Sequence, residues 1–93
     1  MTKNEKELAA VHLSACMDEM RLADKWNDPE AKAKAETAYR DFMLKLKTYL
    51  EMEFELFGLN YEKTVMKPIE EIGKIALVYY GQRVNGQQMK YPA

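Results

Sequence analysis

His12 is the only histidine of this 93-residue chain, and Cys16, the only cysteine, follows it by one helical turn. Glu19 comes a further turn along. An imidazole, a thiol and a carboxylate are the donor types of a zinc site or a proton relay. Zinc asks for three or four donors held together, and the local sequence supplies no fourth partner beside these. His12 and Glu19 are two helical turns apart and both project into the gap between two apolar stripes. They are therefore expected as a polar pair lining a pocket, or as a hydrogen-bonded His at a helix contact, with no metal.

Other groups that could do chemistry are sorted by spacing. Glu51, Glu53 and Glu55 alternate along the chain, but on a helix they project at steps of about 200° and cannot converge on one ion. Glu70-Glu71 resembles a carboxylate pair of a magnesium site, yet the positions three residues on are Gly73 and Lys74, so the two acids fit better as favourable charges at a helix N-terminus. Ser14 and Cys16 precede no Gly-rich oxyanion loop, and the four glycines, Gly58, Gly73, Gly81 and Gly86, form no phosphate-cradling motif. No catalytic residue, cofactor site or metal site is expected.

Two constellations remain. Glu53 falls in an apolar seam, where an unpaired carboxylate would be costly to desolvate. It is expected to pair with a Lys, an Arg or a Tyr hydroxyl, to act as a proton-transfer or cation-binding group, or to stand in water if the seam ends by Leu50. Tyr61, Tyr79, Tyr80 and Tyr91 gather with Arg83 and Lys90 toward the C-terminal part of the sequence. Stacking surfaces with cations bind bases or small anions, and the same residue types are enriched in protein-binding surfaces.

The elements that must position these groups are read from periodicity. Residues 4–26 lack Gly and Pro and are rich in helix formers. At 100° per residue they place Leu8, Val11, Ala15, Leu22 and Trp26 on one stripe and Ala9, Leu13, Cys16, Met17, Met20 and Ala23 on another, leaving Ser14, Asp18, Arg21 and Lys25 as the wet face. So broad an apolar surface needs more than one neighbour, which points to self-association. Asn27 or Asp28 can cap a second helix with Pro29 in its first turn. That helix runs to Phe57, about 43 Å at 1.5 Å per residue. Its seam is Ala35, Tyr39, Phe42, Leu46, Tyr49, Glu53 and Leu56, in steps of four and three, with Met52 opposite as a second contact surface.

Gly58 supplies a left-handed cap with Leu59 folding back on Phe54, and Asn60 starts the third segment. Val65, Ile69, Ile72, Ala76 and Tyr79 share a face. Pro68 interrupts that segment, so a short turn followed by a helix over 68–80 is expected, stopped by Gly81. Residues 82–93 read as a polar tail, with Asn85-Gly86 as the one hairpin signal, pairing Gln82–Val84 with Gln87–Met89.

Composition narrows the function classes. Fourteen basic and fifteen acidic residues give a net charge of −1, which lacks the electrostatic footprint of a duplex nucleic-acid binder. A small positive excess follows Glu71, where Lys74, Arg83 and Lys90 are the only charges. No apolar run approaches the length of a membrane span, and a lone cysteine forms no internal disulfide, so a cytoplasmic protein without membrane attachment is expected. A single short domain has a small core, and a partner subunit is the leading way to add stability.

The sequence thus predicts an all-α protein of three helices over residues 1–81, dominated by a long antiparallel helical hairpin and assembling into a homodimer or larger helical-bundle oligomer. Much packing pattern with little chemistry suits a non-enzymatic regulator or inhibitor that occupies a partner protein's surface. The alternative is an oligomer that sequesters a small anion or nucleotide in Tyr/Lys/Arg-lined pockets between subunits. His12, Glu19, Glu53, Tyr79, Tyr80, Arg83, Lys90 and Tyr91 are the candidate interaction or pocket residues.

Overall fold

The computed structural model of the chain describes residues 1–58 and 60–86, and these are helical throughout apart from short connections. Three α-helices follow in order: α1 (Lys3–Lys25), α2 (Pro29–Phe57) and α3 (Lys67–Val84), with a π-helical turn, Glu62–Met66, leading into α3. No strand occurs among the described residues.

Each helix end is set by local chemistry. Thr2 and Glu5 form a capping box at the start of α1, the Thr2 hydroxyl accepting from the Glu5 N–H at 3.1 Å and the Glu5 carboxylate from the Thr2 N–H at 2.9 Å. The sequence signal is Thr-x-x-Glu, and it starts the helix at Lys3, one residue before the start expected from periodicity. At the other end Asn27 takes a left-handed conformation, φ 52°. The Asn27 N–H then reaches the Asp24 carbonyl at 3.2 Å and the Asp28 N–H reaches Ala23 at 2.8 Å, a Schellman closure. Asp28 in turn caps α2, its carboxylate accepting from the Ala31 N–H at 3.1 Å. Asn27 and Asp28 therefore divide the turn between them. Gly58, φ 61°, ends α2 and donates to Phe54 at 2.8 Å. Leu59, expected against Phe54, lies outside the described residues.

α1 is the middle helix, packed along both α2 and α3, while α2 also meets the π-helical turn. The α-ammonium of Met1 bonds Glu53 at 3.1 Å, and Asp24 bonds Lys32 at 2.9 Å, so the start of α1 lies beside the end of α2 and its end beside the start. Lys6 bonds Glu71 at 2.7 Å and Ser14 meets Arg83 at 3.3 Å, so α3 runs in the direction of α1. The result is a layer of 47 × 27 × 18 Å. Its core joins Ala9, Ala10 and Leu13 of α1 to Leu46 and Leu50 of α2, and to Val65, Ile72 and Ala76. Full burial of a Leu or Ile side chain contributes roughly 1.5–3 kcal/mol.

Four sequence expectations change. First, the α2 seam holds through Ala35, Tyr39, Phe42 and Leu46 but then turns to Leu50 and Phe54, leaving Tyr49 and Leu56 exposed and Glu53 on the flank. The π-helical turn packs against this end of α2 and draws the buried face around toward itself. Second, Ser14 is wholly buried instead of wet, because α3 occupies that side of α1. Third, α1 finds two neighbours within its own chain, which meets part of the need that pointed to self-association. Fourth, α3 passes through Gly81 to Val84, since α1 continues beside it and Arg83 gains a partner there. Gln82–Val84 are thus helical, and Gln87–Met89 lie outside the described residues.

The short turn expected before Pro68 is instead helical, and Pro68 is accommodated by widening the preceding turn. It has no N–H, and in a regular helix its ring would strike the carbonyl four residues back. Here the Lys67 N–H bonds the Glu62 carbonyl, five residues back, and the helix continues from Tyr61 with Pro68 buried. The Asn60 side chain caps this segment by accepting from the Lys63 N–H at 3.2 Å.

Two substitution pairs read these features. Leu50→Ala is expected to lower unfolding stability by about 2–5 kcal/mol, against under about 1 kcal/mol for exposed Tyr49→Ala; urea titration followed by helical circular dichroism gives both. Gly81→Ala, with open space around an added methyl group, should stabilise by about 0.5–1 kcal/mol as in any helix interior. Gly58→Ala should destabilise by about 1 kcal/mol because its φ is positive.

Candidate functional site

Two clefts open on one face of α1 and α2. The first, about 420 Å³, lies between Glu19, Leu22 and Trp26 of α1 and Ala31 and Lys34 of α2. The second, about 330 Å³, lies between Leu8 and His12 of α1 and Phe42 and Tyr49 of α2. A third, about 410 Å³, is a groove shared by Met17 of α1, Tyr39 of α2 and Gly73 and Leu77 of α3. Met17 points about 150° around α1 from His12 and Glu19, so this groove is on the opposite face.

The predicted residues fall out as follows. His12 is exposed and its ring lies 4.3 Å from that of Phe42, tilted by 36°. Glu19 is exposed on the same face but borders the other cleft, so the expected polar pair does not line one pocket. Glu53 is half-buried and its two carboxylate oxygens accept from the Met1 α-ammonium at 3.2 and 3.1 Å. The Tyr49 hydroxyl also stands against Glu53, so the expected tyrosine partner is present, and the Met1 cation is an additional one. Tyr79 packs against the core, Tyr80 is half-buried, and the Arg83 Nε–H donates to the Ser14 hydroxyl. Lys90 and Tyr91 lie outside the described residues.

Electrostatics reinforce the picture of a packed surface with little poised chemistry. The Tyr49 hydroxyl stands against Glu53, with Glu5 also near, and the carboxylates push its ionisation up. Tyr61 donates to Glu51 at 3.1 Å, which raises it likewise, and its ring meets Phe54 edge-on at 5.2 Å. Burial pushes the Cys16 thiol up, and the Glu19 carboxylate adds to that, so the reactive thiolate is disfavoured. Lys6 holds Glu71 below its ordinary range, and the Thr2 backbone does the same to Glu5. Among the described residues no three His, Cys, Asp or Glu side chains stand together as metal ligands.

Among its charged groups the surface also presents large apolar side chains. Among the described residues thirteen large hydrophobic side chains are exposed, while five of the twelve buried core residues are alanine. Trp26 is 73% exposed at the end of the first cleft, with the Lys25 ammonium 5.9 Å from its ring centre. Leu56, Phe57 and Leu77 stand out to a similar degree.

The chain matches no family model, no curated protein and no solved structure. The surface and its chemistry therefore carry the functional reading. No described helix is long and apolar enough to cross a membrane.

Ser14 and Arg83 are the functional-type residues that periodicity misassigned on one side and left loosely placed on the other. The Ser14 hydroxyl donates to the Val11 carbonyl at 2.8 Å while accepting from Arg83, so both of its capacities are used inside the protein. A double-mutant cycle of Ser14→Ala with Arg83→Gln should give a coupling of about 0.5–1 kcal/mol in unfolding stability. Strict additivity of the two changes would show that the contact carries no energy.

Proposed function

We propose that this chain is a small non-enzymatic interaction protein, a regulator or inhibitor that acts by occupying the surface of a partner protein. The observation that carries the reading is the set of thirteen large apolar side chains exposed, among the described residues, on an 18 Å layer whose core is rich in alanine. Apolar side chains gathered on one face, as Leu8, Leu22 and Trp26 are beside the two clefts, suit an interaction surface. The α1 and α2 helices act as a long antiparallel hairpin within an oligomeric bundle, and α3 adds the groove around Leu77. A helix bearing one or two apolar anchors fits a groove of that form. Its free, buried cysteine suits the reducing cytoplasm.

This reading is favoured over a Tyr/Lys/Arg-lined anion pocket because Arg83 is engaged by Ser14 and Tyr79 by the core. Among the described residues no three His, Cys, Asp or Glu side chains stand together, and no catalysis is assigned.

A photo-crosslinking side chain placed at Leu77 tests it in extract of the source cells. The expected product is a discrete adduct heavier than any multiple of 10.9 kDa, absent when the probe sits at exposed Thr48. Adducts only at multiples of the chain mass, together with a melting temperature raised by nucleotides or small anions, would replace this reading with the sequestering one.

A further inference from the structure

α1 carries a periodicity that its own chain leaves unused. Leu8, Ala15 and Leu22 recur every seven residues, and His12, Glu19 and Trp26 do so four positions later. Steps of four and three along one stripe are those of a helix seam laid on another helix. Yet α2 only borders this stripe, through the two clefts and the contact of His12 with Phe42, and along it Leu8 is 52%, Leu22 36% and Trp26 73% exposed. The stripe also repeats about its middle. Ala15, small enough for two backbones to approach, has a leucine seven residues away on either side, with His12 before it and Glu19 after it.

Within one chain His12 and Glu19 are separated by about 10 Å along the helix axis and cannot pair. Glu19 forms no ion pair among the described residues. A second α1 laid antiparallel and crossing near Ala15 solves both problems together. It places each imidazole beside the other copy's carboxylate and each Leu8 beside the other copy's Leu22. A parallel arrangement would stack Glu19 on Glu19 and His12 on His12, like on like. Size agrees as well: two helices about 10–12 Å wide along a 47 Å body offer on the order of 900 Å², and a stable interface takes about 800 Å² from each partner.

We propose that the α1/α2 face is covered by a second copy of this chain, in a two-fold symmetric dimer with the two α1 helices antiparallel and His12 of each copy paired with Glu19 of the other. Such an interface is self-complementary, as two-fold symmetry requires. It also closes water away from Trp26, the only tryptophan. The dimer rests on the interaction-protein reading only in making the chain its own partner on this face; the groove at Leu77 is on the other face and its crosslinking result is independent.

Light scattering coupled to size exclusion, run over a dilution series of the full chain, is the test. The expected mass is twice 10.9 kDa, with Trp26 emission moving to the blue as the dimer forms. Leu8→Glu with Leu22→Glu should give the mass of one chain with unchanged helical circular dichroism, because both positions are exposed in the single copy. His12→Glu alone sets like charges together and should weaken association roughly tenfold or more; adding Glu19→Lys exchanges the signs and should restore it. A single-chain mass at every concentration would overturn the proposal, as would a dimer that survives the two leucine changes. A double charge exchange no tighter than His12→Glu alone would overturn the antiparallel pairing.

Discussion

Close approach of α1 to a neighbour on each flank is the constraint on which the rest of the structure depends. Ala9 and Ala10 sit in the core and Ser14 under α3, all of them small and all buried. Small side chains at a helix contact let Leu50 and Ile72 join one core across α1, and close packing of that kind is what a core of this size requires. The buried Ser14 hydroxyl is tolerable because it gives its proton to Val11 and receives one from Arg83. α3 is thereby held one turn beyond Gly81, where a glycine would otherwise be expected to end it.

Sharing one central helix fixes what the outer surfaces look like. α2 and α3 meet each other chiefly through the π-helical turn, so neither shields the other along its length. Leu8, Leu22 and Trp26 of α1, Leu44, Tyr49 and Met52 of α2, and Leu77 and Val78 of α3 are left in water. Ion pairs around the rim, Lys6 with Glu71 and Lys32 with Asp24, are exposed and worth little in energy, yet they mark the registers of the two helix contacts. The chemistry follows the packing: Ser14 and Arg83, which looked free in the sequence, and Glu53 are engaged in holding helices together, and large apolar side chains stand among the charged groups left exposed.

Much of this was legible in the residues. The helical class, the turn at Asn27–Pro29 and the cap at Gly58 follow from local rules, because each depends on a few neighbouring atoms. The inward positions Leu46, Ile72 and Ala76 follow from periodicity. Three things did not. The change of buried face after Leu46 depends on the π-helical turn packing against α2, a contact between distant segments. Ser14 looked wet because a serine among Asp18, Arg21 and Lys25 carries no sign that a second helix will cover it. Glu53 was correctly singled out as needing a counter-charge, but that charge is the α-ammonium of Met1, fifty-two residues away. His12 and Glu19 were placed rightly on one line of α1, while their separation into two clefts depended on how α2 lies against them.

The thinness of the layer has a thermodynamic consequence. No atom in an 18 Å slab is far from solvent, so opening it hydrates little additional hydrocarbon. Heat-capacity change and denaturant sensitivity both scale with that newly wetted area. A lone copy of this chain is therefore expected to have a shallow stability curve and to melt gradually over a broad range of temperature.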